Sequence, residues 1–427
     1  MTELASRTGA GTNWSGNVTF SADHVEQPHT VGELRDLVTG SRRIRAIGSR
    51  HSFNTVADSP DTLVSLSELS TEAVVDAAAS RVTVPAGVRF GDVYRMLDSA
   101  GLALHNTGSL PHISVVGACA TATHGSGIGN GNLATAVSGL EFVTADGELR
   151  TLDARTAPET FAGSVVALGS LGLVTRATLE VQPRFDMRQD IYDDLPFDAF
   201  FANAEAVFDA GYSVSLFTCW QRRLFHQVWV KTRLTGDDPG SVPGHLFGAR
   251  PADGPRHMIP GIDPVACTQQ LGVPGPWYER LPHFRLEFTP SAGAEIQTEY
   301  FLPREDAADA IRALEPLSER IAELLLVTEI RTIAADELWL SPAYQRDSVA
   351  VHFTWKRDQA AIEALLPEIE ARLEPFEPRP HWGKVFTMAP ELVASRYPRL
   401  KDFRALAESV DPTGRFRNPF TDTFIFG

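Results

Sequence analysis

Apolar residues recur at two different spacings along this chain, and the order in which the spacings alternate predicts its elements. Thr30-Val-Gly-Glu33 has the form of a capping box, opening a helix whose inward positions are Leu34, Leu37 and Val38. The apolar run at 43–47 follows as a strand, and 83–85 is another before Gly87. Phe90, Val93, Met96 and Leu97 repeat at helical spacing over 90–100, and Gly101 ends that helix. Residues 138–144 and 148–152 flank Asp146-Gly147, a dipeptide that suits a hairpin turn. A helix at 157–168 then precedes a strand at 173–181, and Pro183 marks a domain boundary. Alternating β and α segments of this length predict a mixed sheet covered by helices.

The second half has a different texture. Residues 212–220 and 227–233 alternate as strands, and 237–275, rich in proline and glycine, predicts a long irregular excursion. Residues 303–325 are helical, with Ile311, Leu314, Leu317, Ile321 and Leu324 on one stripe. Ile362, Leu365, Leu366, Ile369 and Leu373 repeat the pattern. Pro316 and Pro367 lie inside these stripes and should each kink or break a helix.

Composition narrows the function. The chain has 427 residues, 43 % hydrophobic and 22 % charged, with a net charge of −16. That length suits two domains with ample core. The negative balance, without a cluster of lysine or arginine, argues against binding nucleic acid or an anionic membrane surface. Three widely spaced cysteines, Cys119, Cys219 and Cys267, form no CxxC and are expected as reduced thiols in a cytoplasmic protein. Residues 1–11 lack an apolar core of signal-peptide length, and no run reaches the roughly 20 apolar residues of a membrane span.

Two polar stretches carry the candidate chemistry. Ile47-Gly-Ser-Arg-His51-Ser-Phe-Asn54 opens from a strand into a turn, where glycine permits close approach of a ligand and the serines supply donors. Residues 106–127 form a long run of small residues and hydroxyls that could cradle phosphate or simply make tight turns. It is neither a Walker loop nor a dinucleotide fingerprint. On a strand, Val351, Phe353 and Trp355 point one way and His352 and Thr354 the other, while Glu329 and Arg331 share a face. These polar faces could meet solvent or line a pocket. No two histidines have metal-ligand spacing, so no metal is expected.

GSRHSFN (48–54) and GSLPHISVVGACATATHGSG (108–127) together resemble the flavin-binding half of vanillyl-alcohol-oxidase-type flavoproteins. NWSGN (13–17), GVPGPWYERLPHFRLEFTPSAGAE (272–295), EIRTIAADELWLSPAY (329–344), HFTW (352–355) and RPHWGKVFT (379–387) extend the likeness, which is closest to the bacterial alditol oxidase group. The resemblance implies an α+β protein: an FAD-binding domain at 1–183, a substrate domain with an antiparallel sheet flanked by helices at 184–387, and 388–427 packing back near the first. It implies FAD bonded covalently through His51, with Ala46, Ile47, Gly48, Ser49, Arg50, Ser52, Gly108, Ser109, Ser114, Gly117, Thr121, Ala122, Thr123, His124 and Leu173 holding the cofactor. His112 and His124 are expected as hydrogen-bonded loop residues and Cys119 as a packing residue.

The same resemblance places Glu329, Arg331, His352 and Lys384 as catalytic groups, with Ser109 and Thr354 completing the substrate site. The implied reaction takes a small polyol such as xylitol or sorbitol and dioxygen to the aldose and hydrogen peroxide, in a monomer. An aldonolactone oxidase or dehydrogenase is the rival within enzymes, and a flavin-binding protein without turnover is the rival outside them.

Overall fold

A computed structural model describes residues 10–69, 72–235, 244–288 and 295–427. The sequence segments at 1–9, 236–243 and 289–294, which touch the N-terminal, excursion and 272–295 expectations, lie outside the described residues. Among the described residues no helix is long and apolar enough to cross a membrane.

The first part of the chain builds two main sheets, and a small pairing of Leu102–Ala103 with Gln182–Pro183, where a single mixed one was expected. Val25–Glu26, Thr62–Ser65 and Ile44–Ile47 pair in parallel, with Thr62–Ser65 in the middle. The second sheet is antiparallel, in the order Val74–Asp76, Arg81–Pro85, Leu173–Glu180, Val137–Val143, Leu149–Asp153. The hairpin at Asp146-Gly147 forms, and Gly147 takes the φ of +79° that its turn requires. Val31–Gly40 begins at Thr30, whose side chain accepts from the Glu33 amide. The reciprocal half of the box goes to another donor: the Glu33 carboxylate accepts from the amide of His29. Phe90–Ser99 forms as its periodicity predicts, and Gly101 past its end has a φ of +73°. The helix expected at 157–168 is only Pro158–Ser164.

The C-terminal segment returns to this part. Phe416 is buried with Leu34, Val38, Ile44 and Val64. Asn418 Nδ2 donates to the carbonyls of Thr55, Val56 and Asp58, and the Arg45 guanidinium to that of Phe416.

The second part is one large antiparallel sheet. Its central strands run Asp186–Pro196, Leu224–Arg233, Ser213–Thr218, Leu325–Ile333, Ser348–Lys356, Glu295–Pro303, with short strands at the edges. Helices bury one face: Ile311, Leu314, Ile321, Leu365, Leu366, Ile369 and Leu373 pack with Ile330, Val351, Phe353 and Trp355. Each such side chain contributes roughly 1.5–3 kcal/mol by leaving water. The two prolines behave differently. Pro316 sits in a single 3-10 turn, Glu315–Leu317, that splits the expected helix into Ala307–Leu314 and Ser318–Leu324. Pro367 lies inside Gln359–Leu373, which runs through it unbroken. Buried leucines and isoleucines lie on both sides of Pro367, as Ile311, Leu314, Leu317 and Ile321 do around Pro316, so apolar burial anchors both segments whether or not the helix continues.

Candidate active site

Two loops and the other face of the large sheet enclose a cavity of about 850 Å³. The first loop leaves the Ile44–Ile47 strand. Arg50 adopts a φ of +63°, uncommon outside glycine, and its Nη1 donates to the Ala10 carbonyl at 2.9 Å. The turn presents His51 to the cavity, its ring 5.0 Å from that of Trp14. Asn13 and Asn17 donate to the carbonyls of Ser52 and Phe53, each at 2.9 Å. The Phe53 amide donates to the Gly383 carbonyl at 2.7 Å, and Asn54 Nδ2 to those of Trp382 and Lys384 at 2.9 and 2.8 Å. The stretches around 13–17, 48–54 and 381–384, far apart in sequence, are thus one bonded unit.

The second loop is tied to the first by Ser49 Oγ, which accepts from the Ser114 amide at 3.0 Å. A side chain on Gly48 or Gly117 would meet Ser114 Oγ, so glycine at both lets that hydroxyl keep its place between the loops. Ala46, Ile47, Gly48, Ser49, Arg50, Ser52, Gly108, Ser109, Ser114, Gly117, Thr121, Thr123, His124 and Leu173 all line the cavity with His51. Ala122 does not: it is fully buried in the hydrophobic core, with a φ of +55°. His112 is a loop histidine bonded to the Leu286 carbonyl at 2.8 Å, as expected. His124 is likewise a hydrogen-bonded loop histidine, its Nδ1 2.8 Å from the Gly125 carbonyl and its Nε2 3.1 Å from Glu299, which also ties it to the cavity wall. Cys119 packs in the core, and burial pushes its thiol up to about 12, so it stays protonated.

The third wall is the sheet. Glu329 and Glu299 stand directly opposite His352 on its two sides, and Thr354 lies between Val327 and Gln297. Alternation puts Glu329, Arg331, His352, Thr354, Gln297 and Glu299 on the cavity face and the apolar set against the helices. Glu329, Arg331, His352 and Thr354 are each no more than 6 % exposed, which removes the solvent-facing alternative.

Charge alternates across this wall. Glu299 binds Lys384 Nζ at 2.7 Å and Arg331 Nη2 at 2.9 Å. Glu329 binds His283 Nε2 at 2.7 Å, with Arg331 Nε at 3.6 Å and His352 Nδ1 at 3.7 Å. Arg331 Nη1 donates to Ser109 Oγ at 3.4 Å. Burial pushes both carboxyls up, but their neighbours outweigh it: Lys384, His124 and Arg331 hold Glu299 well below the usual carboxylate range, and Arg331 and the hydrogen bond from His283 do the same for Glu329. Burial pushes His352 down to about 4, assisted by Lys384, and His51 down to about 4, assisted by His112 and Arg89. Both imidazoles are therefore neutral near pH 7. Behind Glu329, burial brings the Lys231 ammonium down to about 7 against the pull of Glu329.

Glu299, His283, Lys231 and His381 belong to this network or border it; His283 and His381 lie in the quoted motifs, but the sequence had assigned a role to none of the four. Glu295, Gln297 and Glu299 alternate with Ile296, Thr298 and Tyr300, a period of two that would have revealed the strand.

The cavity fits a flavin cofactor by its own chemistry. Small residues and glycines form one side of it, and His51 offers an uncharged nitrogen. Both ring nitrogens of His352 are buried without a hydrogen-bond partner, a cost of about 1–3 kcal/mol each unless a ligand completes them.

Comparison with known proteins agrees. A family model for an FAD binding domain matches residues 22–153, and one for D-arabinono-1,4-lactone oxidase matches 294–424. The alditol oxidase of Streptomyces sp. (strain IKD472 / FERM P-14339) is 48 % identical over 98 % of this chain and 99 % of its own. The L-gulono-1,4-lactone dehydrogenase of Mycobacterium tuberculosis is 26 % identical over 96 % and 97 %. A crystal structure of cholesterol oxidase from B. sterolicum shares the fold, with a TM-score of 0.77 over 97 % of this chain and 96 % of that one at 17 % identity. From the near-full-length match to a curated relative and the FAD-binding model, the chain belongs to the alditol oxidase family, within the vanillyl-alcohol-oxidase type of FAD-dependent flavoproteins.

Proposed function

We propose that this protein oxidises the terminal primary alcohol of an alditol such as xylitol or sorbitol to the aldose, with FAD attached through His51 and dioxygen reduced to hydrogen peroxide. The observation that carries the reading is the buried alternation Glu329, Arg331, Glu299, Lys384. Two carboxylates balance two cations, so the wall offers both acceptors and donors without a surplus charge, which suits a neutral chain of hydroxyls. Glu329 accepts from a substrate hydroxyl, and Arg331 and Lys384 donate to the reacting one and stabilise negative charge as its proton leaves. His352 is neutral with unpartnered ring nitrogens, so it can take up that proton. Ser109 and Thr354 complete the polar lining. FAD, when bound, supplies the hydride acceptor and the site of dioxygen reduction.

The FAD-binding unit is taken as 1–183 with 388–427 packed against it, and the substrate unit as 184–387. The protein is read as a cytoplasmic monomer, in keeping with three free cysteines. The family model for a lactone oxidase over 294–424 supports the second reading, oxidation of aldonolactones. Peroxide release from linear polyols of different length, beside aldonolactones, separates the two. Turnover on lactones alone would overturn the alditol reading.

Two predictions belong to this site. Neutral substitutions of Glu329, Arg331 or Lys384 are expected to slow flavin reduction by about one to two orders of magnitude, the loss of a charge-assisted hydrogen bond of roughly 1.5–3 kcal/mol. The flavin spectrum should be unchanged, and rapid-mixing anaerobic reduction by xylitol reads the rate. The other prediction concerns the acceptor. Gly108 lines the cavity, its φ is not in the left-handed region, and an added Cβ would meet Ile113, Thr123 and Leu133 at 3.4, 3.8 and 3.9 Å. A methyl therefore fits without disturbing the fold, and no turn demands glycine there. Gly108→Ala is expected to keep flavin binding and reduction while slowing reoxidation by dioxygen about ten-fold or more, equivalent to about 1.4 kcal/mol of barrier. Stopped-flow reoxidation as fast as wild type would show that Gly108 does not leave oxygen its path.

A further inference from the structure

Lys231 stands on the same face of the large sheet as Glu329, separated from it by the Ser213–Thr218 strand. Its Nζ makes three contacts: the carbonyls of Leu281 at 2.5 Å and Pro282 at 3.0 Å, and His283 Nδ1 at 3.1 Å. In its ammonium form, which prevails below about pH 7, Lys231 has three N–H donors and no acceptor, so every donor is used and Nδ1 must present its lone pair. A neutral imidazole accepting at Nδ1 carries its hydrogen on Nε2, and Nε2 lies 2.7 Å from Glu329 Oε1. The pocket permits little else. The rings of Trp229 and Phe217 meet the imidazole edge-on at 5.1 and 5.8 Å, and the His283 amide and carbonyl are bonded to Ser109 and Thr268. The other ionisable groups facing Lys231 are Arg331, held charged, and Cys267, whose thiol burial pushes up to about 12.

We propose that Lys231 and His283 are positioning residues for Glu329: the Lys231 ammonium fixes the tautomer of His283, whose Nε2–H holds Glu329 Oε1 and leaves Oε2 toward Arg331, His352 and the substrate. Lys231 does not reach the cavity wall and acts only through His283. The proposal rests on the reading of Glu329 as a group that binds substrate hydroxyls. With the opposite tautomer a nitrogen lone pair would face a carboxylate oxygen, and Glu329 would lose its closest donor.

The test uses the flavin-loaded protein. Histidine ¹⁵N NMR slightly below pH 7 reports which His283 nitrogen carries hydrogen, and the His283→Gln protein assigns the signal by its absence. The Nε2–H form is expected in wild type, with a mixture or the Nδ1–H form in Lys231→Met. Anaerobic flavin reduction by xylitol is expected to slow about ten-fold in Lys231→Met and in His283→Leu. His283→Gln places an amide N–H near the Nε2 position and should recover most of that loss, which a merely space-filling role would not produce. An Nδ1–H tautomer in wild type, equal losses in the Gln and Leu proteins, or a wild-type rate in Lys231→Met overturns the proposal. Should Lys231→Met fail to fold, the wild-type tautomer and the Gln/Leu pair still decide. An unchanged rate in Glu329→Gln would instead remove the underlying reading of Glu329, and the tautomer would still report on the lock itself.

Discussion

Acid precipitation of the His51→Ala protein is expected to leave its flavin in the supernatant, whereas the wild-type pellet stays yellow. The imidazole is held at the cavity by three independent restraints: the left-handed turn at Arg50, the Trp14 ring, and the bonds from Phe53 and Asn54 to residues 382–384. Its protonation state suits the proposed attachment. Burial first, then His112 and Arg89, bring it to about 4, whereas a free imidazole titrates near ~6.5. Because the shift is downward, the reactive neutral form persists at lower pH than usual. Attachment of added FAD to apoprotein is therefore expected to be level through neutral pH and to fall only as the medium approaches pH 4. Free flavin released from the wild-type chain by acid would end the assignment.

Glu299→Gln should produce a large loss of stability. The Glu299 side chain is wholly buried and compensates Lys384 and Arg331 together. Removing one partner of a buried ion pair leaves charge uncompensated in a poor solvent for it, at a cost of roughly 3–5 kcal/mol. Urea unfolding followed by fluorescence measures this, and flavin reduction should slow as well, since both cations lose their anchor. The pH dependence has a definite sign. Glu299 is held well below the unfolded glutamate value of about 4.3, so the unfolded chain takes up the proton first as pH falls. The contribution of Glu299 is thus complete at neutral pH and erodes as the medium falls below about pH 4.3 toward the folded value. The Glu299→Gln protein should lose less stability over that window than wild type. Equal acid sensitivity of the two would show that Glu299 is not a charged anchor.

Local sequence determined those features whose causes are themselves local. The His51 turn, the Asp146-Gly147 hairpin, the helix ended by Gly101, and the opposed faces of His352 and Phe353 follow from backbone permissiveness and from the period of a strand or helix. The family motifs also pointed to most of the cavity wall, because glycines and short hydroxyl side chains must recur where backbone closes on a ligand or on another loop.

Tertiary structure decided the rest, since the environment of a charged side chain is set by its neighbours across the sheet and not along the chain. Glu329 and Glu299 become one site only because both strands flank Ser348–Lys356, which puts each opposite His352. Lys231 and His283 meet only because residues 281–284 cross the same face of the sheet. The prolines show the same division. Pro316 and Pro367 carry identical local penalties, yet Gln359–Leu373 continues through one while a 3-10 turn accommodates the other. Both apolar stripes were legible in the sequence and both are buried, so neither periodicity nor burial separates the two outcomes, and only the folded backbone shows which helix continues.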